Sequence, residues 1–252
     1  PFHIWLPEAH VESPTEGSVI LAAILLKVGL YGFLRILLPI FSFSISYYAN
    51  IVFILNVFSI VYTSFITLRQ IDIKKIIAYS SVGHMNICVL GMCTLHPIPI
   101  VGSILLMFGH GFVSAGLFFL VGILYDRYKT KLVFYYSGVT QLMPIFSIFF
   151  FFFIISNISI PGTSNFIGEL LILYYVANKF NWFLIFFFLL ANFICSVYSI
   201  WVQNKVLFGI PKYKFFVYIK DINLIEFATL MPITVMILWV GIYPNTFIDL
   251  LS

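Results

Sequence analysis

The sequence predicts an all-α polytopic membrane protein of about seven transmembrane helices, one of them broken near 140–178. Three observations carry that prediction. The 252 residues are 62% apolar and only 9% charged, against roughly 25% charged in an ordinary soluble domain. Apolar runs of the length that crosses a bilayer recur along the whole chain. The loop cations fall in alternate loops, as they do when successive spans change side.

So little charge cannot solvate the surface of a globule this size, which excludes a soluble enzyme or a nucleic-acid-binding domain despite the formal charge of +4. Aromatic residues make up 19%, with 30 Phe and 15 Tyr, a composition that fits AT-rich coding such as that of an organellar genome. Cys88, Cys93 and Cys195 lie in apolar runs without metal-site spacing, which reads as free thiols. The chain opens Pro1-Phe2-His3 without a methionine, as a fragment or processed piece does, and carries no recognisable cleavable signal.

A span needs about 20 apolar residues, and such runs fall near 18–38, 47–68, 75–95, 99–124, 181–204 and 224–243. The stretch 140–178 would make about 58 Å of helix, too long for one straight crossing. It is interrupted at Ser156 to Asn165, where Pro161 and Gly162 break the helix. Charge decides between one broken crossing and two short ones. Arg69, Lys74 and Lys75; Arg127, Lys129 and Lys131; and Lys205, Lys212, Lys214 and Lys220 occupy the second, fourth and sixth loops, while Lys179 stands alone in the fifth. One broken crossing puts ten of these on one side against one; two would give seven against four. One broken crossing, seven spans and a C-terminus on the side opposite the cations follow.

The first span has a start signal in Ser13-Pro14-Thr15-Glu16: a Ser cap, Pro in the first turn and Glu three residues after the cap. Before it, Pro1 to Glu12 is too short to span and reads as the remainder of another interrupted helix on the positive side. Arg35 lies near the helix end, where it can snorkel.

Several ionisable groups fall at depths where lipid does not tolerate them. Lys27 lies about 20 Å into the first span, and a lysine at mid-membrane costs about 2.5–3.5 kcal/mol even on the lenient scales. It requires a buried ion pair or a hydrated internal cavity, and Gly29 and Gly32 let a neighbouring helix approach it closely. His84 and His110 lie midway along the third and fourth spans. One such histidine is as readily a satisfied hydrogen-bond partner as a relay; two at similar depth, with hydroxyls and a lysine nearby, favour a proton relay. Neither a zinc-ligand pair nor an iron–sulfur cysteine set accompanies them. Glu169 lies about a turn past Asn165, where the stretch interrupted by Pro161-Gly162 ends. Non-helical backbone at membrane depth sits only against protein or water, so this carboxylate is expected where water reaches it. His10, Glu12 and Ser81 are candidates for access from the positive side or for a supporting role. Lys27, His84, His110 and Glu169 together read as a proton or cation path whose driving force comes from elsewhere.

Three longer words sharpen this reading. They are Pro1-Phe2-His3-Ile4-Trp5-Leu6-Pro7-Glu8-Ala9-His10-Val11-Glu12-Ser13-Pro14-Thr15, the stretch from Asp72 to Asn86, and Pro161-Gly162-Thr163-Ser164-Asn165-Phe166-Ile167-Gly168-Glu169. With Leu25-Leu26-Lys27 they resemble the antiporter-like membrane-arm subunits of mitochondrial complex I (NADH:ubiquinone oxidoreductase), the chain 4 branch in particular, which are related to Mrp-type Na⁺/H⁺ antiporter subunits. The resemblance implies a proton-translocating subunit of the mitochondrial inner membrane, with an Mrp-type cation/proton antiporter subunit without redox coupling as the alternative. Lys27 would match the family's central channel lysine, His84 and His110 its hydrated axis, and Glu169 its terminal acidic residue. The implied organisation is residues 1–38 as the end of a first inverted repeat, 39–204 as a second five-helix repeat, and 205–252 as a loop and final helix. FMN, iron–sulfur clusters and ubiquinone would sit in other subunits. The family's earlier lysine and its glutamate partner have no counterpart here. Either a separate N-terminal-half chain is the implied partner or the sequence is a piece of a longer chain; other membrane-arm subunits and lipid are the remaining partners.

Overall fold

The computed structural model describes residues 3–179, 182–212 and 220–249; Lys214, counted among the loop cations, and the last residues of the chain lie outside them. The helices are α1 (Trp5–Glu12), α2 (Thr15–Ile40), α3 (Ser42–Arg69), α4 (Ile73–Met92), α5 (Pro97–Tyr128), α6 (Pro144–Asn157), α7 (Ser164–Lys179), α8 (Trp182–Leu207) and α9 (Leu224–Ile242). Helices α2, α3, α5, α8 and α9 are each long and apolar enough to cross a membrane. The α6–α7 pair and the polar-studded α4 complete seven crossings.

The break lies where the backbone signals put it. Helix α6 ends at Asn157, Ser159 and Gly162 take positive φ (63° and 94°), and α7 restarts at Ser164. Gly162 adopts that backbone without cost, whereas Ser159 does not. Helix α9 covers the break so closely that a Cβ on Gly241 would collide with the Gly162 carbonyl.

Helices α4 and α5 form the centre. Their buried apolar side chains, among them Ile73, Ile87, Leu106 and Phe118, join two cores that run into α6, α7 and α8. Large apolar side chains on the outer faces of α2, α3, α8 and α9 stay exposed, including Ile24, Phe58, Phe193 and Val235. That is the pattern of helices with lipid or another protein on one side.

The loop parity read from charge is visible as contacts. Residues 71–73 pair with 131–133 through Ile73 N–H to Lys131 O (3.1 Å) and Val133 N–H to Ile71 O (2.9 Å). The Lys74 and Lys131 ammonium groups donate to Ser13 O and Val11 O (3.1 and 2.8 Å), neutralising the carbonyl end of α1. Thr140 donates to Leu207 O at 2.9 Å, and the Asp221 carboxylate accepts from the Ile145 and Phe146 N–H groups at the start of α6 (2.9 and 3.2 Å). The α1–α2, α3–α4, α5–α6 and α8–α9 connections thus gather at one end of the bundle, the basic end. One broken crossing is the arrangement present.

Two local expectations fail. Ser13 does not cap α2; its hydroxyl turns back to His10 O at 3.1 Å, and Pro14 precedes the helix with no side-chain cap. Helix α2 is not uniform either: it widens into π turns at Leu21–Leu25 and Phe33–Leu37.

Candidate functional site

The four singled-out membrane residues come together in one line. Lys27 projects from α2 just after the first π turn. Its Nζ donates to Ala22 O at 2.5 Å and meets His110 Nδ1 on α5 at 2.9 Å. The His110 ring lies 5.2 Å, centroid to centroid, from the His84 ring on α4. His84 Nδ1 meets Glu169 Oε1 on α7 at 2.9 Å. The sequence supplies each residue on a different helix, and the crossing of α4 with α5 aligns them.

Two glycines set how closely α5 meets α7 and α2. His110 lies between Gly109 and Gly111. A Cβ on Gly109 would come within 2.8 Å of both Ser164 Oγ and Asn165 Oδ1, so α5 rests directly on the start of α7. A Cβ on Gly111 would lie 3.7 Å from Lys27 Cε, so the other side of the same turn leaves the lysine its passage.

The environment is polar where the line meets the break. Ser164 Oγ and both side-chain polar atoms of Asn165 are buried without protein partners, groups that ordinarily find a partner or bound water. Glu169 itself is 9% exposed and bonded to His84.

Lys27 is only partly covered. It borders an open groove between α2 and α5, walled by Ile24, Val28, Tyr31, Phe108 and Phe112. Gly29 and Gly32 have nothing within 4 Å of an added Cβ, so the close neighbour expected there does not come from the described residues.

The secondary candidates stand apart from the line. His10 is fully buried, stacked on Phe118 with centroids 4.8 Å apart, and both its ring nitrogens lack partners. Ser81 is fully buried and donates to Ile77 O of its own helix at 3.1 Å. Glu12 is exposed at the basic end. Cys88 and Cys93 are buried and Cys195 half-buried, all as free thiols.

Sequence reasoning missed the clamp at the basic end. Arg127 donates from both terminal nitrogens to Glu226 (2.9 and 2.8 Å) and also holds Lys220 O and Asp221 O (3.1 and 3.3 Å). The signal available was an arginine placed just inside the end of an otherwise apolar helix, opposite an acidic first turn in α9. It also missed the π turns, which no Pro or Gly pair announces and which occur often at functional sites.

Known proteins share this architecture. The chain is 51% identical over 249 residues to the NADH-ubiquinone oxidoreductase chain 4 of Chondrus crispus, covering 99% of this chain and 50% of that one. It is 41% identical over 253 residues to the NADH-quinone oxidoreductase subunit M of Rhodobacter capsulatus, of which it covers 49%. The chain therefore spans about half the length of the curated relatives it matches. Among solved structures, a chain of respiratory complex I from Thermus thermophilus superposes with a TM-score of 0.90 at 26% identity, over 98% of this chain and 52% of that one. The family model described as NADH:quinone oxidoreductase/Mrp antiporter, TM, matches residues 1–195. With that match running from α1 into α8 and enclosing Lys27, His84, His110 and Glu169, the chain belongs to the NADH:quinone oxidoreductase/Mrp antiporter transmembrane family.

Proposed function

We propose that this chain is part of a proton-translocating membrane-arm subunit of respiratory complex I. The observation that carries the reading is the continuous line Lys27–His110–His84–Glu169. Two of its links are hydrogen bonds of 2.9 Å, and at the third the two imidazole rings lie 5.2 Å apart, centroid to centroid. An ammonium, two imidazoles and a carboxylate in series let a proton move by short transfers. Lys27 gives its proton to His110 Nδ1, the proton crosses to His84, and His84 passes the one on Nδ1 to Glu169. The Ala22 carbonyl holds the amine in place and remains when the charge leaves.

The coupling is to electron transfer in other subunits, which hold the FMN, the iron–sulfur clusters and ubiquinone. The membrane is the mitochondrial inner membrane, with the basic end toward the matrix in keeping with the charge asymmetry of its loops. The groove beside Lys27 is a seat for a further helix of the same subunit. Exposed Ile24, Val28 and Tyr31, and two glycines with open space above them, form a face prepared for a helix.

The test is Lys27→Ala in the assembled complex, with protons translocated per electron measured in sealed vesicles. A lowered ratio with the complex intact is expected. A normal ratio would reject the path.

A further inference from the structure

Where α8 reaches the basic end, the fold forms a recess well away from the Lys27–Glu169 line. Its walls are Trp201, Asn204, Lys205 and Phe208 at the end of α8, with Phe134 and Lys212 from the flanking segments. The first four recur at helical spacing, so one face of the last turns carries them all. Hydrogen bonds tie the opposite wall to that face. Ser137 Oγ donates to Ile210 O at 2.6 Å, the Gly138 N–H to Phe208 O at 3.2 Å, and Lys212 Nζ to Phe134 O at 2.6 Å. Gly138 takes a positive φ of 64°, and an added Cβ there would lie 2.6 Å from Gly209 O. Only glycine brings the two segments this close.

The chemistry of the recess is one-sided. The Lys205 ammonium, the Trp201 indole N–H and the Asn204 amide make no hydrogen bond or ion pair among the described residues. Lys212 spends one of its three donors on Phe134 O and keeps two. Among the described residues no acidic side chain lines the hollow. The carbonyls ending α8 do not account for the cations, because they are already partnered. Asn204 O accepts from the Phe208 N–H, Leu207 O from Thr140 Oγ1 and Phe208 O from the Gly138 N–H. Four donor side chains around one hollow, with no carboxylate among them, suit an anion bearing several oxygens, as a phosphate does.

The surroundings favour a phosphate carried by lipid. The recess sits at the end of a membrane-crossing helix, at headgroup level, where Trp and Lys together mark the interface. Deeper along α8, Leu189, Phe193, Val197 and Ile200 make an apolar stripe, each 42–68% exposed. From Leu189 to Ile200 the stripe runs about 16 Å, close to the depth of one leaflet in a core of about 30 Å. We propose that this recess binds an anionic phospholipid of the leaflet on the basic side. The phosphate rests on Lys205 and Lys212, the glycerol region against Trp201 and Asn204, and an acyl chain along the α8 stripe. The site uses none of the residues of the proton path and stands whether or not that path is correct.

The experiment labels the assembled complex in vesicles with a phosphatidylglycerol carrying a diazirine near its glycerol, and maps the adducts by peptide mass spectrometry. Labelling is expected within 133–138 and 200–212. Unlabelled phosphatidylglycerol or cardiolipin should compete it away, whereas phosphatidylcholine or inorganic phosphate in equal excess should not. Lys205→Gln should cut the labelling several-fold and Lys205→Arg should keep it. Lys129→Gln, an exposed lysine of the basic end outside the recess, should leave it unchanged. Phosphatidylcholine competing as well as phosphatidylglycerol would reduce the site to an apolar face and overturn the headgroup assignment. Competition by inorganic phosphate would make it a site for the free ion and overturn the lipid. Unchanged labelling in Lys205→Gln overturns the proposal, as does absence of labelling in the unaltered complex, the result expected if another subunit covers the recess. Because competition is read on the unaltered complex, it decides even if the glutamine variant fails to assemble.

Discussion

The Lys27 amine and the His110 ring meet at 2.9 Å across a residue with no side chain. Gly111, the next residue after His110, faces the Ala23 carbonyl and the Lys27 stem at 3.6 and 3.7 Å from where its Cβ would be. Those are ordinary contact distances, so a single methyl group fits and anything branched does not. Gly111→Ala should keep protons per electron near normal. Gly111→Val should push the lysine stem aside and lower the ratio with the complex assembled. A ratio unaffected by valine would show that the Lys27–His110 contact is not used.

Gly109, two residues earlier, gives the opposite expectation. Its added Cβ would fall 2.8 Å from Ser164 Oγ and Asn165 Oδ1, closer than carbon and oxygen approach. Overpacking of this kind costs about 1–3 kcal/mol, and here it acts on the start of α7, which carries Glu169. Gly109→Ala should lower the thermal stability of the assembled complex, read by native gel after graded heating. Unchanged stability would mean that α7 moves away freely.

The basic-end clamp predicts a stability effect without a transport residue. Arg127 is 5% exposed and joins the end of α5 to the start of α9 through a bidentate pair with Glu226. Removing Arg127 leaves the partly exposed Glu226 carboxylate without its partner, at a cost of about 1–3 kcal/mol. Arg127→Leu should therefore destabilise the complex strongly. Arg127→Leu with Glu226→Leu should recover much of the loss, because no unpaired charge remains. Equal loss in the single and double variants would show that the clamp acts through the Lys220 and Asp221 carbonyls instead.

Much of this architecture was legible because lipid makes strict demands. Span positions, the break at 158–163 and the gathering of basic loops follow from apolar length, Pro161-Gly162 and the placement of Lys74, Lys131 and Arg127. Lys27, His84, His110 and Glu169 stood out because an ionisable group at membrane depth needs a partner. Which partner each would find was not legible, since the Lys27–His110 and His84–Glu169 pairs join residues 83 and 85 positions apart and depend on how α4, α5 and α7 cross. The polar face of α3 did leave a trace: Ser59, Thr63 and Thr67 recur every four residues, one face of a helix. A search for apolar periodicity passes over that signal because Ser and Thr are mild enough to sit within an apolar run. Ser13 misled for a related reason: its hydroxyl had a nearer carbonyl, that of His10, than the N–H groups of the following helix.

The bond between His84 Nδ1 and Glu169 Oε1 supports the last prediction. Both groups are more than nine-tenths buried, so neither has solvent to replace a lost partner. Glu169→Gln keeps the shape and a hydrogen-bonding oxygen but cannot accept a proton, so it should assemble and lower protons per electron. His84→Gln removes the ring that bonds Glu169 and should do the same. If the two act in one line, the double variant should be no worse than the more damaging single variant, since a path already cut cannot be cut again. If instead their effects multiply, His84 and Glu169 serve separate routes, and the pair is a structural contact rather than a step in transfer.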